Sequence, residues 1–222
     1  MLSIDAVSAI PASGGRTLPR FALVLVAILL CATPDMVRSQ SVVGPAAAYV
    51  EAPTGPVPAT AARWRLDEPG PRTIRVAFGP APEGEDSADF WAEARRAIDA
   101  WSAVPDPPLR FDLVPVTEDP DVEFRWIDRF PVSQAGATRR RLGTDGFIVH
   151  VTVVLARFHA DGMPMGGEFR RLVALHEVGH VLGLPHSEHP ADVMHPGNRN
   201  LEISPRDLRS LRVLYEQTRP PE

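Results

Sequence analysis

The most constraining feature of the sequence is an eleven-residue stretch, His176 to His186, that reads HEVGHVLGLPH. His176 and His180 are four residues apart, so on a helix both imidazoles leave the same face, one turn apart. That separation allows one ring nitrogen of each to reach a single Zn²⁺ at about 2.0–2.1 Å. Gly183 tolerates a positive φ, so the helix can end there and the chain can turn back sharply. The turn would bring His186 to the same metal from outside the helix.

The residue types in this stretch favour a catalytic metal site over a structural one. Three neutral imidazoles leave the fourth tetrahedral position open, as in catalytic zinc sites. Glu177 follows the first histidine by about 100° of helical rotation, so its carboxylate can lie beside the metal without binding it. A lone histidine in a helix is usually a surface or core residue, but the glycine and the third histidine make a chance match improbable. The sequence therefore predicts one Zn²⁺ held by His176, His180 and His186.

A methionine downstream extends the pattern. Met194 lies eight residues past His186, in the segment Asp192-Val193-Met194-His195-Pro196. A methionine alone is most often core filler, but after this histidine motif it resembles the Met-turn of metzincin metalloproteases. Ser187 and the short path to Met194 make the chain similar to the matrixin branch, the family of matrix metalloproteinase catalytic domains and their bacterial relatives. The resemblance extends weakly over residues 63–217, through Ala100-Trp101-Ser102, Leu109-Arg110-Phe111 and the segment 204–208.

The resemblance implies a role for each matching residue. Glu177 would be the general base and Met194 the hydrophobic floor beneath the imidazoles. The segment 196–201 would form part of the wall of the pocket that receives the residue after the scissile bond, with Pro196, Gly197 and Asn198 as its first residues. Two departures stand out: His195 follows the methionine where matrixins usually carry Tyr, and no cysteine lies between residue 32 and the domain to inhibit the zinc.

Three functions remain open from the sequence. The first is a secreted zinc endopeptidase that cleaves a protein or peptide substrate with Glu177 as general base. The second is a zinc hydrolase of cell-wall peptides, which would use the same apparatus. The third is a non-catalytic metal-binding module on the same fold, against which the presence of Glu177 argues.

Composition excludes other classes of function. The 222 residues carry 23 basic side chains, all Arg, against 28 acidic ones, for a formal net charge of −5. No basic field therefore points to nucleic acid. The single cysteine, Cys31, excludes a disulfide framework within the chain and a cysteine-based zinc site. We expect a monomer.

The N-terminal segment is typical of a secretory signal. Phe21 to Ala32 is a continuous apolar run preceded by Arg16 and Arg20. Such a run is too short to span a bilayer, which needs about 20 residues, so residues 1–39 are predicted as a signal peptide for a secreted or periplasmic protein. A buried core element and a lipoprotein anchor at Cys31 are the alternatives, and only this segment would contact a membrane. Residues 40–62 are predicted as a Pro/Ala-rich linker or short pro-segment, and residues 63–219 as the catalytic domain.

Apolar periodicity predicts an α+β fold. Five strands are expected, at residues 72–78, 109–116, 121–127, 135–142 and 147–155. Three helices are expected, at residues 86–103 with Ser87 as N-cap, at residues 168–182, and at residues 206–217 after Ser204-Pro205. Together they predict a twisted, mostly parallel sheet with an antiparallel edge strand, packed by three helices in a metzincin-like arrangement.

A few polar residues have two interpretations each. Asp119, Asp121 and Asp145 could ligate Ca²⁺ or be solvated loop carboxylates, and His159-Ala160-Asp161 is faintly similar to a structural-zinc segment of the family. Arg139, Arg140 and Arg141 fall on the predicted edge strand. They either protect that edge from aggregation or select acidic substrates.

Overall fold

The computed structural model describes residues 48–50, 62–66 and 70–216. The strands in these ranges are β1 (Arg72–Phe78), β2 (Leu109–Leu113), β3 (Val122–Ile127), β4 (Gly136–Leu142) and β5 (Ile148–Ala156). The helices are α1 (Ser87–Phe90), α2 (Ala92–Ser102), α3 (Gly167–Val181) and α4 (Pro205–Glu216), and a 3₁₀ turn spans Val116–Glu118.

The five strands form one sheet in the order β2-β1-β3-β5-β4. Neighbouring strands are parallel except at the edge, where β4 pairs antiparallel with β5. This arrangement confirms the predicted α+β fold with its antiparallel edge strand. β4 can reverse into β5 because a short turn is enough for antiparallel neighbours; in that turn the Gly143 N–H donates to the Phe147 carbonyl at 2.8 Å.

The first helical segment differs from its prediction. A single helix over residues 86–103 is replaced by α1 and α2, so a one-turn helix is added to the three expected. The break lies at Trp91, whose indole Nε1 donates to the Gly79 carbonyl at 2.9 Å and whose ring packs against Phe124. A buried tryptophan held by the sheet thus interrupts a sequence that is otherwise helical in pattern.

The cap of this segment also differs from its prediction. Asp86, not Ser87, is the N-cap, because its carboxylate accepts the Ala88 and Asp89 N–H groups at 2.8 and 3.2 Å. A carboxylate at this position satisfies two helical N–H groups and complements the positive end of the helix dipole. At α4 the prediction holds, since the Ser204 hydroxyl accepts the Asp207 N–H at 3.0 Å.

The core lies between the sheet and the helices. On α2 the predicted stripe of Ala94, Ala97, Ile98 and Trp101 is buried. The Trp101 indole Nε1 donates to the Leu175 carbonyl at 2.9 Å, which ties α2 to α3. Full burial of a large aliphatic side chain such as that of Ile98 contributes about 1.5–3 kcal/mol. α3, which carries the histidine motif, therefore packs against α2 and the sheet.

Part of the predicted linker packs against the domain. Ala48 and Val50 are buried, and the Tyr49 hydroxyl donates to the Asp207 carboxylate of α4 at 2.8 Å. The signal peptide predicted at residues 1–39 lies outside the described residues. Within the described ranges, no helix has the length and apolar character needed to cross a membrane.

Candidate metal centre and active site

Helix α3 presents the first part of the motif, and a glycine ends it. His176, Glu177 and His180 lie in its last three turns. The chain leaves the helix at Gly183 with φ +100°, and a Cβ there would lie 2.3 Å from the Ala62 carbonyl oxygen. Only glycine satisfies both the backbone angle and the close approach. The turn predicted from the sequence is therefore present.

The turn brings the three histidines together. One ring nitrogen of each of His176, His180 and His186 lies within 4.8 Å of the others, and among the described residues this is the group that could hold a metal ion. The Nε2 atoms of His180 and His186 are 3.2 Å apart. Two ligands on a tetrahedral zinc with bonds of about 2.0–2.1 Å are separated by roughly 3.4 Å. The donor set and its spacing fit Zn²⁺.

Backbone carbonyls orient two of the imidazoles. His176 Nδ1 lies 2.8 Å from the Val193 carbonyl, and His180 Nδ1 lies 2.8 Å from the Leu184 carbonyl. A carbonyl can only accept, so each Nδ1 carries the proton and each Nε2 presents its lone pair to the metal position.

Burial keeps these imidazoles in the neutral form that binds metal. It lowers the pKa of all three histidines, and it does so most for His180, whose pKa falls to about 3 with the neighbouring His176 adding to the effect. Protons therefore compete weakly with a metal at this site.

Glu177 lies beside the histidines in a dry environment. Its side chain is 5% exposed, and burial raises its pKa to about 7. The Thr138 hydroxyl donates to Glu177 Oε2 at 2.6 Å and partly offsets this rise. Thr138 comes from β4 and was not singled out in the sequence, since its position opposite α3 depends on the sheet order.

Met194 is fully buried, and its side chain packs against α3 at Gly179. A Cβ on Gly179 would come 2.2 Å from the Met194 Sδ, so this position must be glycine for the methionine to fit. Gly179 was not singled out in the sequence analysis. Its lack of a side chain allows Met194 to pack against α3, and the role of Met194 as a floor beneath the imidazoles stays a prediction.

Two buried aspartates hold the Met194 turn, and sequence reasoning missed both. Asp192 accepts the Ser187 hydroxyl, the Ser204 hydroxyl at 2.7 Å and Arg206 Nε at 3.0 Å. Burial raises the pKa of Asp192, but these hydrogen bonds outweigh it and hold the pKa below its ordinary value.

Asp207 accepts hydrogen bonds from backbone N–H groups next to Met194 and at the start of α4. Its Oδ2 accepts the Val193 N–H at 2.9 Å and the Ser204 N–H at 3.0 Å, and its Oδ1 accepts the Tyr49 hydroxyl. Because Val193 also supplies the carbonyl that orients His176, Asp207 acts on the metal centre through one residue.

The predicted pocket wall contacts the middle of α3 through Asn198. Pro196 and Gly197 are exposed, and Asn198 donates through Nδ2 to the Leu172 carbonyl at 3.4 Å. This contact places the segment beside the turn of α3 that precedes His176. Its role in binding substrate stays a prediction.

An open cavity of about 410 Å³ lies at the opposite end of the site. Its walls are Thr138 and Arg140 of β4 together with His180, Pro185 and His186. Arg140 Nη1 donates to the Gly183 carbonyl at 3.2 Å, which fixes the guanidinium at the C-terminal end of α3. The metal position therefore opens onto a cleft between α3 and the edge strand.

The other polar candidates do not join a metal group within the described ranges. The Asp121 carboxylate accepts the Arg75 N–H at 2.8 Å, and Asp145 pairs with Arg65. The His159 ring packs on Phe169 with centroids 4.7 Å apart. Calcium binding by Asp119, Asp121 and Asp145 stays a prediction.

Comparison with known proteins agrees with the geometry. The matrixin family model matches residues 71–216. Matrilysin of Felis catus is 44% identical over 61 residues, which cover 25% of this chain and 23% of that protein. Matrix metalloproteinase-16 of Homo sapiens is 31% identical over 144 residues, which cover 54% of this chain and 23% of that protein. The chain thus matches about a quarter of the length of these relatives.

The family match includes the three histidines, Glu177 and the residues that support them, while Tyr49, Arg65 and the carbonyl of Ala62 lie outside it. It extends over more than half of the chain and over the sheet as well as the histidine motif. The chain belongs to the matrixin family of zinc-dependent metalloproteases.

Proposed function

We propose that this chain is a zinc-dependent endopeptidase in which Glu177 is the general base. The observation that carries the proposal is the convergence of three imidazoles beside a buried carboxylate, at the floor of an open cleft. Bound zinc, held by His176, His180 and His186, would supply a Lewis acid that lowers the pKa of a water molecule and polarises a peptide carbonyl.

The environment of Glu177 suits proton transfer. A general base works best when its pKa lies near the working pH, and burial raises the pKa of this carboxyl to about 7. Glu177 takes a proton from the attacking water and delivers it to the nitrogen of the leaving amine. The Thr138 hydroxyl, 2.6 Å from Oε2, holds the carboxylate in one orientation during both transfers.

The edge strand offers a way to bind the substrate backbone. β4 is at the end of the sheet, paired on one side with β5. An extended peptide can add to such an edge through main-chain hydrogen bonds. The peptide would then lie between β4 and α3, with its scissile bond over the three histidines.

Export is part of the proposal. The apolar run from Phe21 to Ala32, with two arginines before it, supports a signal peptide that directs the protein out of the cytoplasm, and retention as a membrane anchor is the alternative outcome. N-terminal sequencing of the exported protein distinguishes the two. A start near Gln40 supports cleavage, and a start before Phe21 supports an anchor.

The test is a peptide-library cleavage assay with the full protein, run with and without a chelator and beside Glu177→Gln. The library includes cell-wall peptides as a separate arm. We expect cleavage of ordinary peptide bonds, about one zinc per chain by elemental analysis, and loss of cleavage on chelation that added zinc restores. Cleavage confined to the cell-wall arm, or cleavage by metal-free protein, contradicts the proposal.

A further inference from the structure

Alternate residues of β4 direct their backbone groups away from β5. The Ala156 N–H donates to the Ala135 carbonyl at 2.8 Å, and Gly136 lies opposite Leu155 in the antiparallel register. In an antiparallel pair, residues that bond to the partner strand alternate with residues whose N–H and C=O groups point to the other side. Gly136 and Thr138 therefore present their backbone groups to the open edge of the sheet.

The first of these edge positions lies beside Glu177. A Cβ on Gly136 would come 2.6 Å from Glu177 Oε1 and 2.8 Å from its Cγ, so a larger residue there would displace the carboxylate. Thr138, two residues further along β4, donates to the other carboxylate oxygen. A peptide that adds to the edge at Gly136 would therefore pass next to the proposed general base, close to the bond to be cleaved.

The Gly136 carbonyl already has a partner at this edge. Gln134 Nε2 donates to it at 2.7 Å. A carbonyl oxygen can only accept, so the amide nitrogen of Gln134 is the atom that faces it. The Gln134 backbone N–H donates in turn to the Val132 carbonyl at 2.7 Å, which holds the chain in a tight turn just before β4. The side-chain amide thus takes the acceptor to which a substrate N–H would donate.

We propose that Gln134 is a specificity-determining residue that interrupts, at Gly136, the hydrogen-bond ladder between β4 and a bound peptide. The proposal rests on the proposed endopeptidase function and on edge-strand binding of its substrate. The ligand is an extended peptide that bonds to β4 at Thr138, while its residue opposite Gly136 donates no N–H to the protein. A peptide that lacks a backbone N–H at this one position therefore binds as well as an ordinary peptide.

The test is a backbone N-methyl scan of one library peptide that zinc-loaded Glu177→Gln binds, with fluorescence anisotropy as the readout. Each residue near the bond to be cleaved is methylated in turn on its backbone nitrogen, which removes one N–H. Methylation should weaken binding about three- to tenfold where the N–H bonds to the Thr138 carbonyl, the value of one hydrogen bond. At the position opposite Gly136 it should change Kd by less than about twofold.

Adding Gln134→Ala to this protein should make that position sensitive, because the Gly136 carbonyl then becomes available to the peptide. We expect one methylated position to lose about three- to tenfold in affinity when Gln134 is replaced, while it loses nothing when Gln134 is present. The ratio of the two losses measures the coupling between Gln134 and one substrate N–H. A ratio near one at every position would overturn the role of Gln134.

Gln134→Glu and Ser133→Ala are the matched controls, and both positions are exposed, so zinc content and melting temperature should stay normal. An ionised glutamate has nearly the size of glutamine but no N–H to donate to a carbonyl. Gln134→Glu should therefore create the same sensitivity as Gln134→Ala, whereas Ser133→Ala should leave the scan unchanged. Sensitivity with Gln134→Ala but not with Gln134→Glu would assign the effect to side-chain bulk and overturn the hydrogen-bonding role.

Cleavage by the wild type separates this inference from the proposed function. Coupling in the binding scan, without cleavage of any peptide bond by the wild type, would overturn the endopeptidase function and leave the role of Gln134 supported. Cleavage with methylation losses at other positions but no coupling would overturn the role of Gln134 alone. Cleavage with no methylation loss at any position would overturn edge-strand binding and the role of Gln134 with it.

Discussion

The site contains two kinds of buried carboxylate, and they are treated in opposite ways. Asp192, which supports the Met194 turn, accepts two hydroxyls and a guanidinium N–H, so its pKa lies below the ordinary value. Glu177, at the cleft, accepts one side-chain hydroxyl, and burial raises its pKa to about 7. The hydrogen bonds around Asp192 stabilise its charged form in the folded protein. The surroundings of Glu177 stabilise its charged form less than water does.

The difference has a direct consequence for stability against pH. A carboxyl whose pKa is lowered by folding stabilises the fold above its unfolded pKa, and this contribution is lost as the pH falls through the folded value. For Asp192 the loss therefore occurs below about pH 3.8. A carboxyl whose pKa is raised, such as Glu177, destabilises the fold above about pH 4.5, with the full penalty reached near pH 7.

The largest effect on stability should come from Asp192→Asn. The amide replaces one acceptor with a donor, so at least one of the three donors (Ser187, which is buried, and Ser204 and Arg206, which are partly buried) loses its acceptor, and Arg206 loses its counter-charge. We expect a loss of about 2–4 kcal/mol of unfolding free energy at pH 7, measured by urea denaturation of the zinc-loaded protein. Asp112→Asn is the control, because Asp112 is an exposed residue of β2, and it should change stability little. A loss below about 0.5 kcal/mol, which is ordinary for a surface site, would contradict the supporting role.

The opposite sign is expected for Glu177→Gln in zinc-free protein. A neutral amide removes the cost of burying a charge, which for a pKa raised from 4.5 to about 7 amounts to up to about 3 kcal/mol at pH 8. The gain should disappear at pH 4, where wild-type Glu177 is already protonated. Urea denaturation of both proteins at the two pH values measures it, and destabilisation by Glu177→Gln at pH 8 would break the contrast with Asp192.

A smaller effect should follow from Thr138→Val, which removes a side-chain donor to Glu177 at nearly constant volume. We expect kcat/KM to fall about three- to tenfold, the value of a single hydrogen bond. The acid limb of its pH profile should also move to higher pH, because that hydrogen bond lowers the pKa of Glu177. Thr138→Ser keeps the hydroxyl and should restore both. An unmoved acid limb would show that Thr138 does not act through Glu177.

The same contrast explains what could be predicted from the sequence. The grouping of the three histidines could be predicted because an i, i+4 pair and a helix-ending glycine are determined by local geometry. The strands of the sheet could be predicted because the alternation of apolar and polar residues along a strand is also a local pattern. The helix break at Trp91 was not predicted because it depends on contacts of the indole with Gly79, at the end of β1, and with Phe124 of β3. The N-cap was predicted at Ser87 and not at Asp86 because both adjacent residue types can cap a helix.

The walls and supports of the site could not be predicted for a different physical reason. Thr138 and Arg140 reach the cleft only because β4 is the edge strand alongside α3. Asp192 and Asp207 occur in polar turn segments that look solvated, and their burial is a property of the packed α4 and Met194 turn. Residues that act across elements leave no periodic signal in the sequence.

The central claim is that the poorly solvated carboxylate of Glu177 is kept for proton transfer at a three-histidine zinc site. Its most direct test is kcat/KM of zinc-loaded Glu177→Gln against zinc-loaded wild type at pH 7, on one peptide that wild type cleaves and at equal zinc occupancy. The account predicts a fall of about 10²–10⁴-fold, the usual contribution of a general base, with zinc content unchanged. Activity within a factor of about three of wild type, far short of that contribution, would contradict it.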